Sequence, residues 1–94
     1  MSQLKTWLLA NNFKLESYTG YDLFSIELNK YKINDDEEVT TFLNVGFKGK
    51  NIDIFVSKEL TDEVLKEITL FETDNENDID KYWILDTIHF LKQW

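Results

Sequence analysis

The 94-residue chain sets 18 Asp and Glu against 10 lysines, a formal net charge of -8, and holds no cysteine, arginine or proline. These values exclude a disulfide framework, a thiolate metal centre and a cysteine nucleophile. They also oppose direct binding to nucleic acid or to an anionic membrane, which needs a cationic surface. Hydrophobic residues at 43% and aromatics at 15% exclude a disordered acidic tail.

The length predicts one domain over residues 1–94. The first residues, Met1 to Trp7, lack the apolar core of a signal peptide, and no apolar run approaches the ~18 residues of a membrane span. With no cysteine staples, the expectation is a cytoplasmic protein.

Ser2 to Asn12 reads as a short helix. Ser2 can cap it, Leu4, Trp7 and Leu8 share one face, and Asn11-Asn12 suits its end because Asn tolerates the left-handed region. Strands follow. Phe13, Leu15 and Ser17 alternate with Lys14 and Glu16, Thr19-Gly20 supplies a turn, and Phe24, Ile26 and Leu28 alternate with Ser25, Glu27 and Asn29. After Leu28 the phase changes, so a bulge is expected near Asn29-Lys30. A third strand carries Leu43, Val45 and Phe47, and a hairpin at Gly49-Lys50-Asn51 returns through Ile52, Ile54 and Val56.

Leu60 to Leu65 predicts a helix start. Thr61 is the cap, Asp62 and Glu63 suit the positive end of the helix dipole, and Leu60 can staple to Leu65. Val64, Leu65, Ile68 and Phe71 continue the helical spacing, while Ile68 to Thr73 also reads as a short strand. A last helix is expected from near Asn77-Asp78 to the end of the chain. The order is therefore α-β-β-β-β-α-α: an α+β domain with an antiparallel sheet of three to four strands, and an N-terminal helix and one or two C-terminal helices packed on one face.

Two constellations stand out as partner-binding candidates. The first is acidic: Asp35, Asp36, Glu37 and Glu38 in a connection, and Glu72, Asp74, Glu76, Asp78 and Asp80 at every second residue. If extended, the second run points to one side with carboxylates ~6.6 Å apart, about half the charge density of a DNA strand. An EF-hand reading of Asp74, Glu76 and Asp78 fails, because Ile79 stands at the glycine position and Leu85 at the bidentate Glu position. The second is apolar: Ile79, Trp83, Phe90 and Trp94 form a stripe roughly 140° round the last helix from Ile84, Leu85, Ile88 and Leu91.

Catalytic and metal residues are not identified. The four serines lack a nucleophile elbow, the glycines form no phosphate loop, and the single histidine, His89, has no nucleophile near it in sequence. No cofactor is expected. The expectation is a small acidic non-enzymatic protein of the inhibitor, immunity or DNA-mimic kind. It binds a basic protein surface, such as that of a nucleic-acid-binding protein. The alternative is an assembly subunit that forms a homodimer through the last helix.

Overall fold

The structure, a computed structural model, describes residues 2–61 and 63–93. Helix α1 (Gln3–Ala10) starts where the Ser2 hydroxyl accepts a hydrogen bond from the Lys5 amide at 3.0 Å. It ends in a Schellman motif. Asn12 takes φ 71, the Phe13 amide donates to the Leu8 carbonyl at 3.0 Å, and the Asn12 amide donates to the Leu9 carbonyl at 3.3 Å. Leu8 and Phe13 are both buried, which adds the apolar contact such ends favour.

Five strands then run as an antiparallel meander in the order β1-β2-β3-β4-β5: β1 (Lys14–Tyr18), β2 (Tyr21–Lys32), β3 (Glu38–Lys48), β4 (Asn51–Leu60) and β5 (Glu63–Thr73). The β1–β2 and β3–β4 turns place Gly20 and Gly49 at φ 74 and 59, where a β-carbon is disfavoured. Register confirms the expected face alternation. Phe24 opposes Val45, Val45 opposes Ile54, and Leu43 opposes Val56, so these side chains share one side of the sheet. The phase change in β2 is a bulge between Glu27 and Asn29, with Leu28 as the extra residue.

Leu4 and Leu8 of α1 join Phe24, Leu28, Leu43, Val45, Phe47, Ile52 and Ile54 in one core. Ile79 and Ile84 complete it. Ile84 belongs to helix α2 (Lys81–Lys92), which is capped by the Asp80 carboxylate accepting from the Tyr82 amide at 2.9 Å. Among the described residues the other face of the sheet carries no helix. Across it runs a hydrogen-bonded string. Ser25 Oγ donates to Asn44 Oδ1 at 2.6 Å, Asn44 Nδ2 donates to Ser57 Oγ at 2.9 Å, and Ser57 Oγ donates to Glu59 Oε2 at 3.2 Å. Asn44 and Ser57 are buried, and this string satisfies them.

The expected order and strand count need correction. Residues 63–73 are not a helix but a fifth strand, whose second half is the short strand that Ile68 to Thr73 also offered; the sheet has five strands rather than three to four, and among the described residues α2 is the one α-helix after it. Thr61 is not a helix cap. It sits at φ 55 in the tight turn between β4 and β5, and its amide donates to the Glu38 carbonyl at 3.3 Å. Asp62, expected to support the helix dipole, lies outside the described residues.

The cause of the helical reading is visible in the register. Two bulges interrupt β5, because Ile54 opposes Phe71 while Phe55 opposes Thr69, and Lys58 opposes Lys66 while Glu59 opposes Val64. Leu70 and Leu65 are the extra residues. Each bulge adds one position to the two-residue repeat, so apolar side chains recur at 64/65, 68 and 71, the spacing of a helix. Helix propensity is a weak preference, and pairing satisfies the backbone groups that β4 would otherwise present as an edge.

Candidate functional site

The acidic run does not stay extended. Strand β5 ends at Thr73, a short 3-10 turn covers Glu76–Asp78, and α2 follows. Three of the five carboxylates accept hydrogen bonds. Glu76 Oε1 accepts from the Leu4 amide at 2.6 Å and so caps the first turn of α1; Asp78 accepts from the Thr73 hydroxyl at 2.6 Å; Asp80 caps α2. Glu72 lies on β5 opposite Asp53, and Asp74 follows the strand end.

The other acidic group forms the turn between β2 and β3. Asn34 Oδ1 accepts from the Asp36 and Glu37 amides, both at 2.9 Å, and Glu38 lies 3.5 Å from Lys30 Nζ. The fold does not bring the two groups together. They stand at opposite ends of the 11-residue β3, roughly 33 Å apart at ~3.3 Å per residue.

The apolar stripe is divided. Ile79 is buried in the core. Trp83 is 38% exposed, with its ring centroid 6.2 Å from that of Phe71 on β5. Phe90 is 63% exposed and lies two turns further along the same side of α2. Trp94 lies outside the described residues.

The feature that sequence reasoning saw only in part, as a short strand over Ile68 to Thr73, is β5. It is an edge strand, and all its residues but Thr73 are exposed. Val64, Leu65 and Ile68 are each about half exposed, and Leu70 and Phe71 nearly as much. Through the Phe71–Trp83 contact this edge continues onto α2, giving an apolar margin that runs over two elements. Acids border it: Glu63, Glu67 and Glu72 lie on β5 and Asp86 on α2, while Lys66 is the one cation of the strand. The available signal was the doublet Val64-Leu65, followed by Leu70-Phe71, in a segment that starts two residues after a strand. Such doublets suit bulges on an edge.

Titration is perturbed elsewhere. The Tyr21 hydroxyl is pushed above the usual phenol range by burial on the open face, with Asp53 and Glu67 adding to the effect. The Tyr18 hydroxyl is raised by its 2.6 Å hydrogen bond to Glu16. Neither sits beside a nucleophile. His89 is exposed, and its Nε2 lies 2.9 Å from the Gln93 side-chain nitrogen, a geometry met by the amide donating to an unprotonated ring nitrogen. Among the described residues no group of three or more His, Asp or Glu side chains has the arrangement of a metal site, and no helix is long and apolar enough to cross a membrane.

Comparison with known proteins leaves this geometry to speak for itself: no family model, no curated protein and no solved structure matches the chain.

Proposed function

We propose that this protein is a non-enzymatic interaction module that docks an extended, basic segment of a protein partner along β5. The carrying observation is the exposed apolar edge strand: Val64, Leu65, Ile68 and Leu70 stand in water beside a row of backbone groups with no neighbouring strand. Strand addition supplies hydrogen bonds to those groups, and burial of the side chains supplies affinity. Trp83 and Phe90 are residue types that anchor interfaces. Glu63, Glu67 and Glu72 favour lysines and arginines on the incoming strand. The net charge of -8 steers such a partner from a distance, at a rate that falls with salt. Self-pairing through β5 would set two strands of like net charge side by side, which opposes it.

The test is titration with a short extended peptide that alternates Lys and Val, followed by amide hydrogen exchange. Slowed exchange along residues 63–73, weaker binding of a second, control peptide that alternates Glu and Val, and loss of binding in the double variant Val64→Lys/Leu65→Lys are expected. Equal binding of the two peptides, or protection confined to other strands, would refute the assignment.

A further inference from the structure

The chain's lysines are unevenly placed. Three of its ten (Lys58, Lys66 and Lys92) face a single cleft of about 310 Å³ between the C-terminal turn of α2 and the sheet, and none of its lining residues is acidic; Lys30 borders it too, but by register its side chain lies on the open face. In a chain with almost twice as many acids as lysines, that is a reversal of sign confined to one place. The floor of the cleft is apolar, formed by Val56, Ile68 and Leu91.

Lys58 and Lys66 are direct cross-strand partners on β4 and β5, on the helix-covered side of the sheet. Two like charges at such positions oppose each other and destabilise the ladder. Lys30 is engaged by Glu27 at 3.2 Å and Glu38 at 3.5 Å. The ion pairs among the described residues involve only Lys5 and Lys30, so Lys58, Lys66 and Lys92 meet no carboxylate there.

We propose that this cleft binds a small amphiphilic anion, a carboxylate on a short aliphatic chain, with the head between Lys58 and Lys66 and the tail against Val56, Ile68 and Leu91. The volume is at the lower end of ligand-sized sites and suits a chain of several methylenes rather than a long lipid. A bound carboxylate removes the Lys58–Lys66 repulsion. It sits toward the strands, away from the α2 C-terminus, whose carbonyls repel an anion. Lys92, in the last turn of α2, screens that end. The site shares Ile68 with the β5 docking edge but not its backbone groups, and does not depend on a protein partner.

NMR titration of the full chain with octanoate tests the assignment, with octanamide as the uncharged-head control and acetate as the tail-less control. Shifts clustered on Val56, Lys58, Lys66, Ile68 and Leu91 are expected. Octanamide should bind about tenfold more weakly. Each methylene removed from the acid should cost about fourfold in affinity until binding is lost. The double variant Lys58→Gln/Lys66→Gln should lose about tenfold for octanoate and nothing for octanamide, and should melt no lower than the wild type. Should the double variant fail to fold, the edge substitution Lys66→Gln alone must still weaken octanoate binding. Equal affinity for octanoate and octanamide, shifts centred on another surface, or unchanged binding by a folded lysine variant would overturn the proposal. The Val64→Lys/Leu65→Lys variant leaves the cleft lysines in place, so failure of strand docking and failure of this site are separable.

Discussion

The ring of Tyr21 occupies the space that a side chain on Gly46 would fill: Cε1 of Tyr21 lies 2.9 Å from the position of a β-carbon built there. Gly46 is therefore a packing glycine, on the open face of β3 beneath an aromatic ring of β2. Gly46→Ala should cost about 1 kcal/mol, the low end for overpacking, because only the far end of the Tyr21 side chain must move. It should also move the Tyr21 hydroxyl into water and bring its titration back toward the usual phenol range, because burial is the main cause of its upward displacement. Urea unfolding and tyrosinate absorbance against pH read the two effects separately.

Glu76 joins the two ends of the fold. Its carboxylate reaches the Leu4 amide 72 residues away in sequence, at 2.6 Å. Glu76→Ala leaves that amide at the start of α1 without its acceptor and should destabilise the protein by about 1–2 kcal/mol, the loss typical of a helix cap. Ser2→Ala, which removes the second acceptor of the same helix turn, should give a smaller loss of about 1 kcal/mol. Thermal unfolding of the two variants and of their combination measures both losses and their coupling.

Thr61 carries φ 55 in the β4–β5 turn. A β-branched residue is disfavoured in the left-handed region by about 1–2 kcal/mol. Thr61→Gly or Thr61→Asn should therefore raise stability by about 0.5–1 kcal/mol, less than the full strain for glycine because its unfolded chain is more flexible. A destabilised Asn variant, followed by chemical denaturation, would show that the threonine side chain makes a compensating contact.

Asp22 and Lys5 form an ion pair at 2.9 Å, with Lys5 Nζ also 4.9 Å from the centre of the Phe47 ring. The hydrogen bond from Lys5, with a lesser one from Ser17, holds the Asp22 carboxyl below the usual carboxylate range. The folded protein thus binds this proton less readily than the unfolded chain. The stability tied to Asp22 is present above the ordinary carboxylate value and is lost as the pH falls through the lowered one. Asp22→Asn should lower the melting temperature at pH 7 and have little effect in strong acid, as melts across that range would record.

Much of the fold is written locally. The α1 caps at Ser2 and Asn12, the turns at Thr19-Gly20 and Gly49-Lys50, the alternating faces of β2, β3 and β4 and the slip beside Leu28 follow from dihedral preference and two-residue periodicity, which neighbouring residues suffice to express. The absence of cysteine and arginine and the excess of acids likewise need no structure to be read. What only the tertiary structure decided is β5 and everything that depends on it. Its bulges at Leu65 and Leu70 imitate helical spacing, and a strand that pairs with β4 is chosen by the backbone groups of β4, not by its own residues. That choice sends Asp35–Glu38 and Asp74–Asp80 to opposite ends of the sheet, buries Ile79 while leaving Phe90 in water, and sets Lys58 against Lys66 across a ladder. Side chains far apart in sequence meet through hydrogen-bond register, which no local pattern of charge or hydrophobicity encodes.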